Sequence, residues 1–120
     1  MQIRYAFRHS NIMKHSMFIT KVTARFYIPD LHGFLSRHDM NNYDVFTQNY
    51  DERCEMIGAH INKFNELFYP NLIDGRGMYN GHVEKVYSDR IKHFHRVLRA
   101  PLFQIEPTQR GGLNEMYNTL

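Results

Sequence analysis

Apolar positions along this chain change their spacing several times, and each change predicts an element. Ile3, Tyr5 and Phe7 alternate with Arg4, Ala6 and Arg8, the two-residue period of a half-buried strand. Residues 17–28 are rich in Phe, Ile, Val, Thr and Tyr and also predict extended chain. Phe18, Val22, Ala24, Phe26 and Ile28 share one face of it, and Met17, Ile19, Lys21, Thr23, Arg25 and Tyr27 the other. The polar stretch from His9 to Ser16 joins the two as an antiparallel pair, and Pro29 ends the second strand.

From Tyr43 the spacing lengthens. Tyr43, Phe46, Tyr50, Cys54, Ile57, Ile61, Phe64 and Phe68 recur in steps of three and four, which predicts an amphipathic helix over residues 43–68. Asn42 or Asp44 serves as its cap and Pro70 as its stop. Helices usually run to about 11–12 residues, so a break is expected between Asn49 and Asp51. Val83, Val86, Tyr87, Ile91, Phe94, Val97 and Leu98 predict a second helix ending before Pro101, and Leu102 to Glu106 a short third strand. Beyond Arg110-Gly111-Gly112, the i, i+3, i+4, i+7 spacing of Leu113, Met116, Tyr117 and Leu120 predicts a short C-terminal helix. The predicted architecture is α+β, a single domain over 1–120. Its small antiparallel sheet has about three strands, in β-β-α-α-β order, packed against a two-helix hairpin.

Composition narrows the class. The 120 residues suffice for one core, and 42% hydrophobic with 22% charged residues argues against disorder. One cysteine, Cys54, rules out an internal disulfide and favours a reducing compartment. The first residues lack the apolar run of a signal peptide, and no run nears the roughly 20 residues that span a bilayer. A cytoplasmic protein without membrane contact is expected.

Charge adds a direction. The net charge is +3, with basic residues dense in 1–37 and 76–99 and acidic ones in 39–55. Lys85, Lys92, Arg96 and Arg99 form a row opposite the apolar stripe of the predicted second helix. The connection before it carries Gly75, Arg76 and Gly77 and ends at His82, at a helix N-terminus where backbone N–H groups favour anions. Glycine there permits φ > 0 and close approach to a phosphate. It is neither a dinucleotide fingerprint, since it follows a helix and Asn80 replaces the third glycine, nor a phosphate loop with Gly-Lys-Ser/Thr.

Eight histidines invite a metal, yet no pair stands at i, i+3 or i, i+4, so no metal site and no cofactor is predicted. Cys54 sits on the apolar stripe beside Glu52 and Glu55, the environment of a buried, unreactive thiol. No catalytic motif is present. The leading expectation is therefore a small basic accessory or regulatory protein, non-enzymatic, that binds nucleic acid or a nucleoprotein through the basic row and the glycine loop. The alternative is a protein–protein module, such as a virus- or phage-encoded inhibitor or assembly subunit, with Leu113, Met116, Tyr117 and Leu120 as an apolar anchor for a partner. A second alternative is a histidine-based hydrolase, nuclease or nucleotide-binding enzyme, with His9, His32 and His38 at loop positions.

Overall fold

The computed structural model describes residues 2–23, 25–48, 53–73, 77–78, 81–109 and 114–120. Its elements run α1 (Gln2–His9), α2 (Asn11–Lys14), β1 (Phe18–Val22), α3 (Leu31–Ser36), β2 (Val45–Thr47), β3 (Met56–His60), α4 (Phe64–Leu67), α5 (Val83–Ile91), β4 (Val97–Arg99), β5 (Gln104–Gln109) and β6 (Met116–Thr119). Two short 3₁₀ turns, Met40–Asn42 and Ile61–Lys63, precede β2 and α4. The α+β class holds, but the expected three-stranded sheet with a helical hairpin is replaced by two sheets and five α-helices among the described residues. One is a four-stranded mixed sheet ordered β1-β3-β2-β4, and the other is the β5-β6 hairpin. Strands β1 and β2 both run antiparallel to β3, and β2 runs parallel to β4.

Strand register sorts the side chains onto two faces. Ile19, Ala59, Ile57, Val45 and Val97 share one face, and α1, α2, α4 and α5 cover it with Ile3, Phe7, Met13, Phe64, Leu67, Tyr87 and Ile91. The opposite face presents Phe18, Val22, Met56, Phe46 and Leu98. Helix α3 covers it with Phe34, and the β5-β6 region with Phe103, Ile105 and Leu120. The sheet is thus the middle of three layers.

Each departure from expectation has a physical cause. Ile3 and Phe7 satisfy a period of two, but they also lie four apart on one helical face. Tyr5 separates the alternatives, because a strand would bury it with its neighbours and α1 leaves it 68% exposed. Phe7 instead stacks on Phe64 with ring centroids 4.3 Å apart. The predicted helix over 43–68 is β2, β3, a 3₁₀ turn and the short α4. Because both sheet faces are covered, Val45, Phe46 and Thr47 are all buried, as are Met56 to Ala59, and the alternation that marks a strand disappears. In so dense an apolar run a three-and-four series can always be selected. Tyr50, and with it the expected break at 49–51, lies outside the described residues. The second helix stops at Ile91, and Val97 and Leu98 belong to β4, paired with Val45 and Phe46. The short third strand is present as β5, but it joins β6 rather than the main sheet. The expected C-terminal helix is strand β6, where Tyr117 packs against Phe26 and Leu120 exchanges backbone hydrogen bonds with Phe103 at 2.6 and 2.9 Å.

Strand β3 carries Gly58 opposite Thr20 of β1. A Cβ there would stand 2.8 Å from the Ile19 carbonyl oxygen, 2.8 Å from Thr20 Oγ1 and 2.9 Å from the Phe18 ring. Backbone cannot yield as a flexible side chain does. Gly58→Ala should therefore destabilise by about 1–3 kcal/mol through overpacking, outweighing the roughly 0.5–1 kcal/mol by which alanine normally improves on glycine. Urea unfolding measures this, and an unchanged midpoint would contradict the close approach.

Candidate nucleic-acid interface

The cations expected to form one row are distributed over three elements. Lys85 is exposed on α5, preceded by exposed His82. Lys92 follows the last turn of α5 and pairs with Asp89 at 3.2 Å. Arg96 lies in the turn before β4, and Arg99 ends that strand. Gly77 is exposed at φ +79° with open space around it, the left-handed backbone that glycine accommodates. Gly75, Arg76 and Leu113 lie outside the described residues. Met116 is exposed, Tyr117 half-buried and Leu120 buried at 1% exposure.

Two of the arginines hold the fold together. Arg96 donates from Nε and a terminal nitrogen to Asp44 Oδ1 at 3.1 and 2.6 Å, and its backbone N–H reaches Asp44 Oδ2 at 3.3 Å. The Asp44 N–H returns a bond to the Arg96 carbonyl at 2.7 Å. Asp44 precedes β2 and Arg96 precedes β4, so this pair sets where the two parallel strands start. Arg90, on α5, donates to the carbonyls of Leu67, Tyr69, Asn71 and Ile73 and to Asn71 Oδ1, at 2.7–3.2 Å. One guanidinium thereby gathers the chain that leaves α4. Five N–H donors in a rigid fork make this possible, and lysine has no equivalent.

A different basic cluster forms on α1. Once residues 2–9 are helical, Arg4 and Arg8 lie four apart and become neighbours, as do Tyr5 and His9. The Tyr5 and His9 rings meet tilted at 33° with centroids 4.2 Å apart, and the Arg4 guanidinium sits 5.8 Å from the centre of the Tyr69 ring. Arg4, Tyr5, Arg8, His9 and Pro70 line a concavity of about 300 Å³. Among the described residues no carboxylate pairs with either arginine. The strand pattern placed Arg4 and Arg8 on a sheet, whereas the helix brings them beside Tyr5, His9 and Pro70. Their four-residue separation was the available signal.

The histidines do not converge. His9 belongs to the α1 cluster, His38 packs between Phe34 and Tyr43, and His60 Nδ1 accepts from the Asn62 N–H at 3.2 Å. Among the described residues no three His, Cys, Asp or Glu side chains stand where they could hold a metal ion. None of the described helices is long and apolar enough to cross a membrane. Comparison with protein-family models, curated proteins and solved structures finds no match to this chain.

Two outcomes follow from the structural arginines. The hydrogen bond from Arg96 holds the Asp44 carboxyl below its ordinary pKa. A depressed carboxylate stabilises the fold above its unfolded value of about 3.9 and loses that contribution as pH falls through the folded value. Stability should therefore drop below about pH 4, and Asp44→Asn should lower stability at neutral pH and flatten that acid drop. Denaturant midpoints across pH 2–7 measure both. Arg90→Lys should cost about 1.5–3 kcal/mol, because several carbonyls lose a charged donor together. Thermal unfolding reads the loss, and stability within about 0.5 kcal/mol of wild type would show that the carbonyls are satisfied without the fork.

Proposed function

We propose that the protein is a non-enzymatic accessory protein that binds single-stranded nucleic acid, or a nucleoprotein presenting it, through the outer face of α1. What carries this reading is the convergence of Arg4, Arg8, His9 and Tyr5 on one concavity, with no carboxylate paired to either arginine among the described residues. Helix electrostatics accounts for Arg8 and His9, because cations are favoured at a helix C-terminus. It does not account for Arg4 in the first turn. Two like charges at i, i+4 cost a helix about 0.2–0.5 kcal/mol, a repulsion that a phosphate between them turns into attraction. Tyr5 at 68% exposure and Tyr69 at 51% add π-faces on which bases stack without regard to sequence. Lys85 of the predicted row is exposed on α5, makes no ion pair among the described residues and suits a flanking phosphate.

Binding of fluorescein-labelled single strands of unrelated sequence, followed by anisotropy over a salt series, tests the proposal. Arg4→Gln with Arg8→Gln should weaken binding similarly for every sequence. The magnitude of the salt slope should fall by about 0.7 for each phosphate that the variant no longer neutralises. Wild-type affinity and slope in a folded double variant would refute the assignment to α1.

A further inference from the structure

A cleft of about 750 Å³ opens beside β1, and its lining includes the five consecutive residues Ile19 to Thr23. Successive residues of a strand point to opposite faces, so a cavity on one face touches only alternate ones. This cleft touches all five and therefore follows the strand's edge. Strand β1 is the outermost of its sheet. The Ile61 N–H donates to the Met17 carbonyl at 2.8 Å, and the Thr23 N–H to the Glu55 carbonyl at 2.7 Å. Antiparallel alternation between those two points turns the backbone groups of Ile19 and Lys21 toward β3. Those of Phe18, Thr20 and Val22 point outward, and no strand among the described residues takes them.

The far wall is apolar and comes from Ile3 and Ala6 of α1 and Met13 of α2. Three titratable groups line the cleft, and two of them, Cys54 and Tyr87, are not suited to chemistry. Burial pushes the Cys54 thiol up and the Tyr87 phenol up to about 12, so both stay neutral wall groups. Lys21 differs. Its ammonium donates to the Cys54 carbonyl at 2.6 Å and to Thr23 Oγ1 at 3.4 Å, and no carboxylate of the described residues lies within ion-pair distance.

We propose that this edge is a peptide-docking site, where an extended segment of a partner protein adds a strand to β1, with an acidic residue opposite Lys21 and an apolar one opposite Ile19. Main-chain bonds to Phe18, Thr20 and Val22 supply affinity, and the cleft and Lys21 supply specificity. The site is separate from the outward basic face of α1, so the two proposals stand or fall independently.

Selection of a phage-displayed random dodecapeptide library on the full chain, followed by amide exchange of the isotope-labelled protein, tests this. Before peptide is added, the amides of Phe18, Thr20 and Val22 should exchange faster than those of Ile19, Lys21 and Thr23, and a selected peptide should protect them. Selected sequences should place an acidic residue two positions from an apolar one. Thr20→Pro removes an outward donor and leaves the ladder to β3 intact, and it should weaken binding about tenfold or more. Should that variant not fold, Lys21→Glu serves instead and should shift selection from acidic to basic peptides. Equal protection of all six amides in the free protein, no enriched peptide, or undiminished binding by a folded Thr20→Pro would overturn the proposal. So would protection that grows with protein concentration alongside a dimer mass, since the occupant would then be a second copy.

Discussion

A strand paired on both edges and covered on both faces constrains this molecule most. β3 meets β1 on one side and β2 on the other, and Met56, Ile57, Gly58 and Ala59 are all buried. Such a strand has no solvent face for a polar residue, and every backbone group must find a partner within the sheet. It also limits side-chain size. Beside β1, only hydrogen fits on Gly58, because the Ile19 carbonyl, the Thr20 hydroxyl and the Phe18 ring occupy the space a Cβ would need. The helices gather on one face because Ile57 and Ala59 point there. Helix α3 and the hairpin gather on the other because Met56 does.

Charge is divided between holding this sheet together and facing outward. Arg96 and Asp44 link the starts of two parallel strands that have no short connection to align them. Arg90 does for the chain after α4 what further secondary structure would otherwise do, collecting carbonyls that no helix or strand engages. Arg96, neutralised by Asp44, contributes little field beyond the surface. Arg4 and Arg8 hold no such ion pair among the described residues, so their charge reaches solvent, where a phosphate's charge would meet it. A sequence count of basic residues treats all four alike.

The α+β class, the core membership of Phe64, Phe68, Tyr87, Ile91 and Leu98, the burial of Cys54 and the extended chain at 18–22 were legible in the sequence. Each depends on local apolar density or on a composition that only a buried core can absorb. The choice between helix and strand for 2–9, 45–47, 56–60 and 116–119 was not legible. Ile3 and Phe7 fit either period, and full burial of β2 and β3 erases the alternation that would have named them. The candidate site followed the same division. Arg4 and Arg8 are visible as charges, but only a helix makes them neighbours. Arg96 looked like a surface cation, and only the pairing of β4 with β2 brings it to Asp44. What the sequence determined alone was that a dense apolar set leaves water; which of its members meet, which stay outside as Tyr5 and Met116 do, and which charges remain outside was decided by the sheet, because contacts distant along the chain have no period to announce them.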